Sequence, residues 1–233
     1  MSEAREQILA GIRRSLKRGR LEAGREAALR QRVAAQRRNL VPARATALDE
    51  PGRIDLLVAM AEEVQGTVAR VDSPTAVPEE VARYLATENL PAELVMAPDP
   101  TLVDLPWDQR PLLKTRRGRA EADDAVSLTP CFAAIAETGT LMLISGPATP
   151  TTLNFLPDTH IVVVHADQVV ATYEDGWDRL RARGETPRTV NFVTGPSRTG
   201  DIEQRIELGA HGPRRLHIIL VDDRRKVGDG QGT

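Results

Sequence analysis

The chain has 233 residues, of which 41% are hydrophobic and 27% charged, and its formal net charge is −2. That length and apolar content suit one large domain, or one domain with an appendage, and exclude a wholly disordered chain. No apolar run approaches the ~20 residues of a membrane-spanning helix, and the single cysteine, Cys131, excludes an internal disulfide or an iron–sulfur cluster held by this chain alone.

Charge is unevenly placed. Residues 1–50 carry 12 Lys and Arg against 6 Asp and Glu, so the rest of the chain is acidic on balance. The opening, MSEAREQILAGIRRSLKR, has no apolar stretch before a small-residue cleavage site, so a cytoplasmic location is expected. Ile8, Leu9, Ile12 and Leu16 recur at helical spacing and predict an amphipathic helix over 3–18. A second helix, over 21–38, is thinner in apolar residues. These helices read as a solvated arm that packs one stripe on its own domain or on a partner. With 3% aromatic residues and no binding motif, nucleic-acid recognition has little support.

Pro42–Gly52 (PARATALDEPG) reads as a linker. Beyond it, helices are predicted over 54–65, 78–89 and 173–183. Strands are predicted over 67–71, 94–97, 125–128, 140–145, 160–165, 189–194 and 216–221, and Cys131–Ala136 is a short apolar segment. The run HIVVVH, continuous and β-branched, suits a strand covered on both faces. Strands interleaved with helices define an α/β fold with a mostly parallel sheet flanked by helices. The predicted organisation is a helical arm and linker over 1–50, an α/β domain over 51–225 and a frayed tail over 226–233.

In open α/β sheets, ligands bind outside the carboxyl ends of strands, and three loops there have suitable composition. In the first, Glu137-Thr138-Gly139-Thr140, a carboxylate stands between two apolar stretches. Burial would raise its pKa and suit it to acid–base or nucleophilic work; the alternative is a carboxylate that accepts backbone N–H bonds in a tight turn. The second, Gly195-Pro196-Ser197-Arg198-Thr199-Gly200-Asp201-Ile202-Glu203, follows a strand and predicts a short helix opening near Thr199. Ser197 or Thr199 would cap it, and Arg198 with the free N–H groups would hold a phosphate or carboxylate. Asp201 and Glu203 weaken that site, since they can satisfy the helix dipole themselves. The third, Gly209-Ala210-His211-Gly212-Pro213, leaves His211 on a loop between glycines, as an acid, base or ligand, or as a structural hydrogen-bonder. His160 and His165 read as structural. Histidine spacing fits no metal site, and the signatures of P-loop, dinucleotide-binding and zincin proteins are absent, so neither metal nor cofactor is expected.

Taken together, AETGTLMLIS, LPDTHIVVVHADQVV and VTGPSRTGDIEQRIELGAHGPRRLHIILVDD resemble the lactate utilization (LUD) domain family, and EAREQILAGIRRSL is similar to that family's N-terminus. The likeness is strong over 125–222 and weak over 20–120. It implies a layered α/β domain of the NagB/RpiA/CoA-transferase-like kind. It also implies a non-redox component of a three-protein system that oxidises L-lactate to pyruvate with two iron–sulfur-type partners. The family pattern falls on Glu137, Thr138, Gly139 and Thr140, on Gly195, Pro196, Ser197, Arg198, Thr199, Asp201 and Glu203, and on His211, Gly212 and Pro213. Gly200 stands where alanine is more usual. The resemblance transfers a site location and not a mechanism; from the composition of their loops, Glu137 and His211 are the catalytic candidates. Thr138, Gly139, Thr140, Gly195, Ser197, Arg198, Thr199 and Gly212 are candidates for binding a small carboxylate or phosphate. A second reading is an independent small-anion-binding enzyme on the same scaffold, taking a carboxylate, phosphosugar or acyl-CoA. A third is a pure interaction module with its loops filled.

Overall fold

A computed structural model describes residues 3–17, 19, 21–38, 40–202 and 205–223. Glu203 and the expected tail over 226–233 lie outside the described residues. The chain divides into two units, Met1–Val41 and Pro42–Thr233. In the first, α1 (Glu3–Ser15) and α2 (Ala23–Ala35) stop short of the predicted bounds. Lys17 and Gln36 take left-handed backbone there, with φ of 48° and 41°. Ile8, Ile12 and Leu16 share a stripe, but all three stay exposed. No helix among the described residues is long and apolar enough to cross a membrane.

The second unit opens with α3 (Ala43–Thr46), α4 (Glu50–Glu63), β1 (Thr67–Val71), α5 (Val77–Thr87), β2 (Glu93–Met96), α6 (Pro100–Val103), β3 (Lys114–Arg117) and β4 (Val126–Pro130). It continues with β5 (Ala133–Ile135), β6 (Thr140–Ile144), β7 (Thr159–His165), β8 (Val169–Val170), α7 (Tyr173–Ala182), β9 (Val190–Thr194), β10 (Arg198–Ile202), β11 (Arg205–Leu208) and β12 (Arg215–Val221). The stretch expected as a linker is instead structured. Ala45 is fully buried, and the Asp49 carboxylate accepts the Gly52 N–H at 2.9 Å to cap α4, with Pro51 in its first turn. That proline marks a helix start, where its missing N–H costs nothing.

Six strands form a parallel sheet in the order β1-β12-β7-β4-β2-β3. Successive residues of its central strands serve opposite faces, as the two-residue period of a strand requires. Ile161, Val163 and Ile219 join Val81, Leu85 and Met96 of α5 and β2. Val162, Val164, Ile218 and Leu220 join Ile54, Leu57 and Ala61 of α4 and Leu141 of β6. The predicted α/β class with helices flanking a parallel sheet holds. What the strand pattern does not predict is a second sheet, β8-β5-β6-β9, on the α4 side. The tight turn at Glu137–Gly139 sets Ile135 opposite Thr140 and makes β5 and β6 antiparallel neighbours. Behind this sheet, Ala133 and Met142 pack with Leu180 of α7.

On the α5 face a polar cluster has His217, Tyr84 and Glu80 buried and Thr67 and Arg83 exposed at its rim. His217 stacks on Tyr84, with ring centroids 3.9 Å apart and planes 11° apart. Its Nδ1 shares a 2.8 Å hydrogen bond with Thr67 Oγ1, and its Nε2 lies 3.3 Å from Glu80 Oε1 in ion-pair reach without hydrogen-bond geometry. Arg83 donates to both Glu80 oxygens, at 2.7 and 2.6 Å. Burial alone would raise the Glu80 carboxyl, but His217 and Arg83 outweigh it and hold the group at about 2, against an ordinary 4.5. A carboxyl lowered on folding stabilises the native state above its unfolded pKa, and that contribution fades as pH falls through the folded one. Glu80→Gln is expected to cost on the order of 2–3 kcal/mol at pH 7. In urea titrations from pH 7 downward, the gap between variant and parent should close between about pH 4.5 and 2; a gap that stays constant over this window contradicts the assignment.

Candidate functional site

The site grows from the carboxyl end of α4. Gly139, with φ of 66°, lies so close that a Cβ there would stand 2.5 Å from the Ala61 backbone nitrogen. Gly195, with φ of 70°, would place one 2.5 Å from the Val64 carbonyl oxygen. The Arg198 guanidinium donates to that same carbonyl. Helix C-termini leave carbonyls unpaired and favour cations, so the turn after β9 clasps α4 through one glycine and one arginine. Both glycines, proposed from sequence as ligand-binding, are fixed here by close packing and left-handed backbone.

No helix opens at Thr199. Residues 198–202 form β10, which pairs antiparallel with β11, setting Arg198 opposite Leu208 and Thr199 opposite Glu207. The helix-end anion site predicted for this stretch therefore does not exist. Its polar groups are engaged across the hairpin base instead. Ser197 N–H donates to the Pro213 carbonyl at 2.8 Å, Gly209 N–H to the Ser197 carbonyl at 3.0 Å, and His211 N–H to Ser197 Oγ at 3.3 Å. The second and third loops are thus stitched together, with Gly212 against Ser197 and Phe155.

Between them lies a cleft of about 300 Å³. Ser197, Arg198, His211 and Gly212 line it with Gly195, Thr194, Phe155, Asn154 and His160. Its position corrects the expectation of a carboxyl-end site. His160 and Leu216 are the second residues of β7 and β12 and face each other in register, so the cleft stands at the amino ends of these strands. It also meets the carboxyl end of β9 at Thr194.

The sequence reading missed His160. Its ring is fully buried, and burial pushes its pKa down to about 3. Nε2 lies 2.8 Å from Thr129 Oγ1, while Nδ1 has no hydrogen-bond partner. Inside an apolar run a histidine looks like core, and only the pairing of β7 with β4 and β12 brings it to the cleft. Phe155 and Asn154 had no sequence signal either.

Glu137 is not part of this lining. Its carboxylate accepts the Tyr173 N–H at 3.1 Å, at the first residue of α7, where a negative charge suits the helix dipole. Thr138 and Thr140 share a hydroxyl network with Tyr173, at 2.7 to 3.2 Å. Thr140 Oγ1 also lies 2.7 Å from Thr194 Oγ1, which ties the first loop to the cleft rim without placing it inside. Two of the three predicted loops therefore share a cleft, and the third braces it. Among the described residues no group of three His, Cys, Asp or Glu side chains is placed to hold a metal ion.

The LUD domain family matches residues 54–221. Lactate utilization protein C of Deinococcus radiodurans is 40% identical over 121 residues, covering 51% of this chain and 55% of that protein. The protein of the same name from Bacillus subtilis is 37% identical over 94 residues, 39% of each. The chain spans about half the length, or less, of the curated relatives it matches. Among solved structures, a DUF162-family protein from Deinococcus radiodurans matches with a TM-score of 0.56 and 25% identity, covering 75% of this chain and 99% of that one.

The three glycines separate packing from binding. Gly139→Ala and Gly195→Ala force a Cβ into helix backbone from a left-handed position, so each is expected to cost about 2–4 kcal/mol in urea unfolding. At Gly212 a Cβ would meet Phe155 and Ser197 at 3.6 Å, an ordinary contact. Gly212→Ala should keep stability within about 1 kcal/mol while narrowing the cleft; equal losses at all three positions would contradict this division.

Proposed function

This chain is a member of the LUD domain family, and on that premise we propose that it is a non-redox component of an L-lactate-to-pyruvate oxidation system, binding a small carboxylate in its cleft and working with iron–sulfur partner proteins. The observation that carries the ligand reading is the meeting of the Ser197 turn and the His211–Gly212 turn around one cleft. Ser197 Oγ accepts a backbone N–H and keeps its own O–H to donate. Arg198 spends one N–H on Val64 and brings its positive charge to the cleft wall. An acceptor-only carboxylate suits such donors. His211 lines the same cleft and is exposed, which supports a role for its imidazole in exchanging a proton with a hydroxyl or carbonyl oxygen of the acid.

Oxidising a 2-hydroxy acid to a 2-oxo acid removes two electrons and two protons. The one cysteine of this chain is buried, and burial pushes its thiol up to about 12, far from the thiolate that ligates clusters. This supports a division of labour in which partners take the electrons and this chain handles the acid. The independent-enzyme reading drew on Glu137 as nucleophile or base, and the engagement of that carboxylate by α7 gives it no support.

Thermal unfolding should shift upward with L-lactate or pyruvate, since a ligand of the native state stabilises by mass action. Ser197→Ala is expected to weaken that binding roughly tenfold. Under anaerobic, low-salt conditions the protein should co-purify with iron–sulfur partners. Silence with both acids would sink the ligand reading, and failure to associate would sink the assembly.

A further inference from the structure

His160 lies on β7 at the wall of the cleft, fully buried, between Thr129 on one side and the loops on the other. A neutral imidazole carries one N–H and one lone pair. The Thr129 hydroxyl occupies Nε2, so Nδ1 is the ring atom left to face a ligand, and it has no partner. Arg53 Nε, Thr159 Oγ1, Asn191 Nδ2 and His217 Nε2 are likewise buried without hydrogen-bond partners, but none of these residues lines the cleft. A buried polar atom left unpaired is costly, and native proteins normally satisfy such atoms with protein, water or ligand.

We propose that His160 recognises a carboxylate oxygen of the bound acid by donating from Nδ1, while Thr129 fixes the ring by donating its hydroxyl proton to Nε2. This deepens the carboxylate reading above and rests on it. A carboxylate only accepts, so the proton must sit on Nδ1, and a threonine hydroxyl can supply the complementary proton to Nε2. Burial keeps the ring uncharged, so it acts as a fixed donor whose protonation does not vary with pH near neutrality. Arg198 supplies charge at the wall; His160 supplies direction from within the fold.

The test uses the full chain with ¹⁵N-labelled histidine. The His160 Nδ1 resonance should lie in the protonated range and move when pyruvate or L-lactate is added. His160→Gln keeps a polar atom near Nε2 and none at Nδ1, and should weaken binding about tenfold or more. His160→Asn places an amide near Nδ1 and should stay within about threefold of the parent. The resonance experiment on the unmodified chain decides the matter even if a variant fails to fold. Binding of either acid with His160 unmoved overturns the proposal and leaves the carboxylate reading intact. A shift of Nδ1 with inorganic phosphate or acetyl-CoA alone supports the donor role and overturns the carboxylate assignment. No response to any of these probes overturns the proposal.

Discussion

The last turn of α4 is the support against which the cleft is built. A helix end presents carbonyls with no internal partner, and here the Val64 carbonyl receives the Arg198 guanidinium while Gly195 lies in contact with it. One strand away, Gly139 rests on the backbone of Ala61. With both turns held on one helix, β6 and β9 pair in a fixed register that sets Thr140 opposite Thr194. The hairpin of β10 and β11 then leaves the second sheet at a defined place, and its base closes on the loop before β12 through backbone bonds at Ser197. A side chain inserted at either glycine disturbs that whole order of contacts.

Much of the sheet was legible because its residues have a local reason to be strands. HIVVVH and LHIILV are continuous apolar runs, and a strand buried on both faces has no other pattern. The helix over 173–182 announces itself through Thr172 and Asp175, which satisfy each other's backbone groups at its start. The bounds of α1 and α2 were less legible, since a left-handed residue ends each helix and nothing in Lys17 or Gln36 demands that conformation.

The cleft was half legible, for a reason that lies in distance along the chain. Ser197, Thr199 and the acids after them have the spacing of a helix start, and a helix start was the natural reading. Pairing between residues 198 and 208 and hydrogen bonds to Gly209, His211 and Pro213 override that preference. Gly139 reads as a site glycine until the backbone of α4, far earlier in the chain, is seen beside it. The sequence leaves Glu137 open to two readings, and the N–H of Tyr173 favours the structural one. His160 carries no mark at all within its strand.

Strand parity has one more effect. Leu216 stands beside His160 and His217 beside Ile161, so the two imidazoles lie on adjacent strands yet on opposite faces of a single layer of backbone. His217 belongs to the pair with Glu80, whose carboxyl is held at about 2; His160 belongs to the cleft and is held at about 3. Between neutrality and about pH 4 the Glu80 carboxyl stays ionised and the His160 ring stays uncharged. In mildly acidic surroundings the ring behind the cleft and the carboxylate beneath the outer helix therefore both keep the charge state they have at neutrality.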